Sequence, residues 1–206
     1  MKKIRMSILW VNRDMTFEDI IKDKVVFKDV KFSKETVKEI WKVKPKVIKG
    51  VPKVLESLIT KDIVSSLDDP DLIELVKDFK YDFNRMVKGD YVPYHTEVSR
   101  ISPIEIIAWF FKEDFQGREF VYYMDGTKTE IKPENNRVCF LYTHCPDGGH
   151  EVKDLLSDTQ VITITGGLGG QFDTNLFGDT SRRKPGDFKE VHITQREGME
   201  TNKECD

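Results

Sequence analysis

The hydrophobic rhythm of the chain changes at about Asp90. Before it, apolar residues recur mainly at helical spacing; after it, they alternate or run in short blocks. Ile4–Val11 reads as a short buried strand. Thr16 ahead of Glu18 and Asp19 marks a helix start, and Val25–Phe32 alternates as a strand does. Ser33 is placed to cap a helix over Lys34–Val43, which Lys44-Pro45-Lys46 breaks. Val54–Leu67 is a further predicted helix. Asp68-Asp69-Pro70-Asp71 stops it and starts another, because aspartate caps and proline suits the first helical position. Leu72, Ile73, Leu75, Val76, Phe79, Phe83 and Met86 then keep a helical spacing, with Gly89 just beyond, so one helix is predicted over 72–87.

The second half is read as strands. Tyr91-Val92-Pro93-Tyr94 is extended, because Pro93 biases its predecessor away from helix. Phe120–Met124 and Thr129–Ile131 flank Asp125-Gly126, a hairpin signal. Val138–Tyr142 and Gln160–Thr165 are further strands. Around Pro103–Lys112 two rules conflict. Ser102, Pro103 and Glu105 have the form of a helix start, whereas Ile104, Ile106, Ile107, Trp109, Phe110 and Phe111 are β-branched or aromatic and suit a buried strand. We read a strand from Ile106. Many short strands with turn signals predict a closed antiparallel jelly-roll or cupin-like core. The fold class is therefore mainly β with flanking helices. Residues 1–89 form an N-terminal α/β buttress, 90–180 the core, and 181–206 a C-terminal strand and mobile polar tail.

Composition narrows the classes. A chain of 206 residues is long enough for a full core. Its net charge of −3 offers no argument for nucleic acid or an anionic membrane as partner. No apolar run is long enough to span a bilayer. Three cysteines (Cys139, Cys145 and Cys205) make no disulfide framework, which fits a reducing cytoplasm.

The chemistry concentrates in two segments, Tyr94-His95-Thr96-Glu97-Val98 and Gly148-Gly149-His150-Glu151-Val152. Two imidazoles and one carboxylate on one face of a metal leave positions open for a co-substrate and dioxygen, the facial arrangement of non-haem Fe(II) oxygenases. Singly, His95 or His150 reads as a surface or satisfied core histidine; the order of the surrounding landmarks gives the set its weight.

Those landmarks are Pro93-Tyr94-His95-Thr96-Glu97, Ile106–Phe111, Gln116-Gly117-Arg118-Glu119-Phe120, Ile131-Lys132-Pro133-Glu134-Asn135-Asn136-Arg137-Val138 and His150-Glu151-Val152. In order and spacing, 92–167 resembles the Fe(II)/2-oxoglutarate oxygenase superfamily, in its prolyl-4-hydroxylase-like branch. The resemblance implies a double-stranded β-helix. It implies Fe(II) held by His95, Glu97 and His150, 2-oxoglutarate as co-substrate, and ascorbate as an accessory reductant. It also implies hydroxylation of a peptidyl, amino-acid or other small substrate. Tyr122 or Tyr123 would face the co-substrate.

Two departures stand out. Glu97 replaces the usual aspartate. Where the family places an arginine and then a serine after the second histidine, to clamp the far carboxylate of 2-oxoglutarate, this chain has Gln160 and Ile162. A guanidinium suits that role because it pairs bidentately with a carboxylate. Arg100, Lys112, Arg118 and Lys128 are the candidate replacements.

Other readings use some of the same residues. Zinc nucleobase deaminases also use His-x-Glu, and His95, Glu97, Cys145 and His150 mimic part of their set, without the Pro-Cys-x-x-Cys pair. A zinc cluster of His144, Cys145 and His150 is a variant of that idea. A cupin-like protein that binds without turnover is the third. Gly166-Gly167-Leu168-Gly169-Gly170 follows a strand but lacks a P-loop lysine, so it reads as a tight loop. Arg182-Arg183-Lys184 reads as a solvated basic run.

Overall fold

Local caps start the helices where the sequence places them. Asp19 Oδ2 accepts from the Thr16 amide at 3.0 Å, and the Asp19 amide donates back to Thr16 Oγ1 at 3.2 Å, which opens α1 (Phe17–Asp23). Ser33 accepts from the Thr36 amide at the start of α2 (Lys34–Lys42). Asp69 accepts from the Leu72 amide, with Pro70 in the first turn of α4 (Pro70–Lys77). Between them lies α3 (Lys53–Val64). The computed structural model describes residues 15–23, 25–95, 102–124, 127–143 and 149–168. The expected strand Ile4–Val11, the turn Asp125-Gly126 and the C-terminal 181–206 lie outside the described residues.

The strands are β1 (Val25–Asp29), β2 (Val47–Ile48), β3 (Phe79–Met86), β4 (Val92–His95), β5 (Ile104–Phe111), β6 (Phe120–Met124), β7 (Thr127–Ile131), β8 (Arg137–Tyr142), β9 (Gly149–Val152) and β10 (Val161–Leu168). They form two antiparallel sheets. One has six strands in the order β1-β8-β5-β10-β3-β2; the other has four in the order β4-β9-β6-β7.

Alternation along the strands divides the core in two. Ile104, Ile106, Ala108 and Phe110 of β5, with Val138 and Phe140 of β8 and Ile162 and Ile164 of β10, pack under the helices. Ile107 and Trp109, Cys139 and Leu141, and Val161 face the other way, against Phe120, Tyr122 and Val152 of the four-stranded sheet. Trp109 and Phe120 meet edge to face across that gap at 6.0 Å. The layers are thus helices, six-stranded sheet and four-stranded sheet. Among the described residues no helix is long and apolar enough to cross a membrane.

One expectation needs correction, and one conflict between local rules is decided. The helix predicted over 72–87 ends at Lys77, and Phe79–Met86 is β3, a long strand paired with β10. Phe79, Tyr81 and Phe83 are all fully buried, a period of two that the mixed spacing of the segment conceals. The sheet therefore draws strands from both sides of residue 90. The conflict at Ser102 resolves as strand. Its hydroxyl donates to the Ile104 carbonyl at 2.5 Å and accepts from the Leu168 amide at 2.9 Å, so it ties β5 to the end of β10 instead of capping a helix.

Asp62 of α3 joins two helices. It is buried, and its Oδ2 accepts from the Ser33 amide at 2.7 Å and from Thr36 Oγ1 at 2.5 Å. Asp62→Ala leaves the Ser33 amide without its acceptor and Thr36 Oγ1 with only Ser33 Oγ, and is expected to cost about 2–3 kcal/mol. A lower urea midpoint at unchanged m-value checks it.

Candidate functional site

The site residues are set by pairing between short strands. His95 ends β4 and lies opposite His150 of β9; His150 in turn lies opposite Tyr122 of β6. Cross-strand partners share a face, so the three side chains point the same way. That way is inward, since Tyr122 packs in the cluster between the sheets and His150 is 5% exposed. The imidazole centroids of His95 and His150 are 4.2 Å apart. Phe120 lies against the His150 ring at 4.9 Å.

An irregularity makes this possible. Val92 pairs with Val152 and His95 with His150, so β4 carries one residue more than β9 between those points. This is a β-bulge. Without it, Tyr94 would stand opposite His150 and His95 would point outward. The bulge falls at Pro93-Tyr94, and proline within a sheet favours bulges because it has no amide to give the ladder.

His95 Nδ1 lies 2.8 Å from the Pro93 carbonyl oxygen. A carbonyl only accepts, so Nδ1 carries the proton and donates, which leaves the lone pair on Nε2. That is how metal-binding imidazoles are commonly held. Two inward imidazoles, one with its tautomer set this way, fit a divalent metal. Among the described residues no three His, Cys, Asp or Glu side chains form a metal cage. The expected third ligand, Glu97, lies outside the described residues, as do His144, Cys145 and Arg100.

The sequence left open which tyrosine faces in. Tyr122 does; Tyr123 faces out, where its hydroxyl donates to Glu151 Oε1 at 2.7 Å and its ring meets Tyr94 edge to face at 5.2 Å. Burial and the neighbouring Glu151 carboxylate push the Tyr123 phenol above its ordinary pKa, so it stays protonated as the donor.

The candidate cations separate sharply. Lys112 lies over the Trp41 ring at 4.5 Å, and Lys128 pairs with Glu130 at 2.8 Å. Gln160 is not brought to the site either: its side chain accepts from Arg85 Nη1 at 2.7 Å in an exposed setting. Arg118 is different. It is 1% exposed, and its Nε and Nη1 have no partner among the described residues. Its Nη2 reaches Thr163 Oγ1 of β10 at 3.4 Å, the outer limit of a hydrogen bond. Burial lowers its pKa to about 10, against the opposing pull of Asp90 and Asp154, so it is charged at neutral pH.

Beside it, Trp109 Nε1 is a second buried donor without a partner among the described residues. Trp109 and Thr163 are register partners on β5 and β10. The buried guanidinium thus reaches a hydroxyl whose register partner carries an unpartnered indole N–H, and donors of this kind suit a carboxylate.

The preceding turn sends Arg118 inward. Gly117 and Arg118 both take positive φ (82° and 63°), and the Arg118 amide donates to the Asp154 carbonyl at 3.0 Å. A Cβ on Gly117 would lie 2.0 Å from that carbonyl oxygen, so only glycine fits.

Two other features are structural, and one reading is set aside. Arg137 is buried against Asp29 and Glu134, at 3.0 and 2.6 Å. Gly166 and Gly167 stand inside β10, where Tyr81 approaches Gly166 too closely for a Cβ and Ser102 and Glu105 crowd Gly167, which gives them a packing role without a phosphate. His95 stands on a strand, whereas the deaminase arrangement needs His-x-Glu to open a helix.

No family model matches the chain, and no curated protein does. Solved structures do. An oxidoreductase of the 2OG-Fe(II) oxygenase family from Burkholderia pseudomallei superposes with a TM-score of 0.53, covering 75% of this chain and 95% of its own at 12% identity. The viral collagen prolyl hydroxylase of Paramecium Bursaria Chlorella virus-1, solved as its 2OG complex, gives 0.53 over 70% and 96% at 13% identity. HygX from Streptomyces hygroscopicus, solved with iron bound, gives 0.52 over 76% and 88% at 10% identity. At such identities the likeness is one of fold. The described part of this chain folds as the 2-oxoglutarate-Fe(II) oxygenases do.

Proposed function

We propose that this chain is an Fe(II)- and 2-oxoglutarate-dependent oxygenase built on a double-stranded β-helix. One observation carries the reading: a buried guanidinium with two unpartnered nitrogens reaches Thr163, the register partner of Trp109 in the cluster between the sheets, and two register-paired histidines face that same cluster from the other sheet. Either half alone has a bland explanation; together they supply both ends of a co-substrate site.

His95 and His150 would hold the metal, with Glu97 as the carboxylate ligand. Arg118 would take the distal carboxylate of 2-oxoglutarate, helped by Thr163 and Trp109. It stands four residues before Tyr122, just ahead of β6, and its side chain reaches across to Thr163 of the other sheet. Tyr122, inward and opposite His150, lines the path between the two ends. Gln160 has no part in this arrangement.

When bound, iron and 2-oxoglutarate would let dioxygen act as oxidant, one oxygen atom converting a substrate C–H bond to an alcohol and the other entering succinate as 2-oxoglutarate loses CO2. The protein's share is to orient both and to exclude water, which the apolar wall of Phe120, Trp109 and Leu141 does. The viral neighbour is a collagen prolyl hydroxylase, which supports a peptidyl substrate here. On cysteine usage we place the protein in the cytoplasm.

Two experiments test this. Under anaerobic conditions, Fe(II) followed by 2-oxoglutarate is expected to give a weak visible charge-transfer band that needs both additions and is absent in His150→Ala. No band, with zinc retained instead, sinks the proposal; no metal at all leaves a binding protein. Arg118→Met is expected to act in two directions. It should weaken 2-oxoglutarate binding by about 2–3 kcal/mol, thirtyfold or more, read by titration calorimetry. Without ligand it should raise stability by about 1–3 kcal/mol, because an uncompensated buried cation is replaced by an apolar side chain of similar length. Unchanged affinity would remove Arg118 from the site.

A further inference from the structure

The outer face of the four-stranded sheet repeats the pattern of the site, one residue along. Each inward residue has an outward neighbour: Tyr94 beside His95, Tyr123 beside Tyr122, and Glu151 beside His150. Tyr123 touches both of the others. Tyr123 donates to Glu151 at 2.7 Å, which joins β6 to β9. The rings of Tyr94 and Tyr123 meet at 5.2 Å and 68°, although β4 and β6 are not adjacent.

They meet over β9, which lies between them. The residue beneath is Gly149, directly opposite Tyr123. A Cβ there would lie 2.1 Å from Tyr94 Oη and 2.3 Å from its Cζ. Glycine thus leaves the gap through which the two tyrosines make contact across the middle strand. Tyr94 is also the residue at the bulge whose extra length turns His95 inward.

We propose that Tyr94, Tyr123 and Glu151, seated over Gly149, form a positioning lock that holds the β4 bulge and so sets the separation and tilt of His95 and His150. The inference rests on the metal-site reading above. None of the three touches metal or substrate; they act through the backbone of the strands that carry the histidines. Tyr94 clamped on Gly149 keeps the bulge at Pro93-Tyr94 from sliding. A slip of one residue would exchange Tyr94 for His95 on the inner face.

The test uses Co(II) alone as probe on the full chain, read by its d–d spectrum and by calorimetry, with urea unfolding alongside. Unmodified protein should bind Co(II) with a band that His150→Ala removes. Tyr94→Ala and Gly149→Val should weaken Co(II) binding about tenfold or more, the usual size of effects from groups behind the ligands. They should also change the shape of the band at saturating Co(II). Tyr94→Phe, which keeps the ring, should restore both. Lys153→Ala, which breaks an ion pair with Glu130 on the same sheet, should leave both unchanged.

Should Tyr94→Ala fail to fold, Tyr123→Phe carries the test. It removes a single hydrogen bond and should still weaken binding severalfold. A lower unfolding midpoint with unaltered affinity and band would mean that the cluster only stabilises, and would overturn the inference while leaving the metal site intact. No His150-dependent band in the unmodified protein would overturn the metal reading, and this inference with it.

Discussion

One extra residue in β4 governs where the chemistry lies. Side chains alternate along a strand, so the inward set is fixed once one pairing is fixed. Val92 and Val152 both belong to the layer between the sheets. Regular pairing from there would put Tyr94 inward and His95 outward. The bulge reverses this, and His95 then faces His150 at 4.2 Å. The cost is a disrupted ladder at that point. Pro93 limits it, because proline has no amide to lose. The Pro93 carbonyl, freed from regular pairing, receives the His95 Nδ1 proton. One local distortion thus aims the ring, sets its tautomer and satisfies the acceptor.

Arg118 is held against the interest of stability. A guanidinium that is 1% exposed, with two nitrogens unsatisfied among the described residues, costs several kcal/mol that Asp90 and Asp154 offset only in part. The fold keeps it there through a turn that only glycine permits at 117, bridged to Leu155. Strain and an uncompensated charge at one place are the usual mark of a site built for something that arrives later. The unpartnered Trp109 N–H beside it points the same way.

Legibility followed the range of the interactions. Helix caps are decided within four residues, and Thr16, Ser33 and Asp69 were readable as such. β5 was harder. Ser102, Pro103 and Glu105 have the right spacing for a helix start, but the Ser102 hydroxyl is used by Leu168, a partner far along the chain. β3 was misread because Phe79, Phe83 and Met86 fit a helical period as well as a strand, and only pairing with β10 decides it. His95 and His150 were legible as types in order, but the bulge that joins them was not. Arg118 was one candidate cation among four. Nothing local separates it from Lys112 or Lys128; a buried position seen only in three dimensions does.

The two sheets divide the work unequally. The six-stranded sheet is packed on both faces, by the helices on one side and by the interlayer cluster on the other. The strands that carry the histidines have four residues each, and the described helices all lie against the other sheet. Strands this short carry few ladder hydrogen bonds and open locally more easily than long ones. The imidazoles thus stand on short strands, where a loss of register matters most. Cross-strand contacts on the outer face are then the available means of restraint, and the tyrosine pair over Gly149 is built from them. A ligand bridging His95, His150 and Arg118, as proposed above, would tie the four-stranded sheet to the six-stranded one, which Arg118 reaches at Thr163. Binding free energy there appears as added stability of the fold.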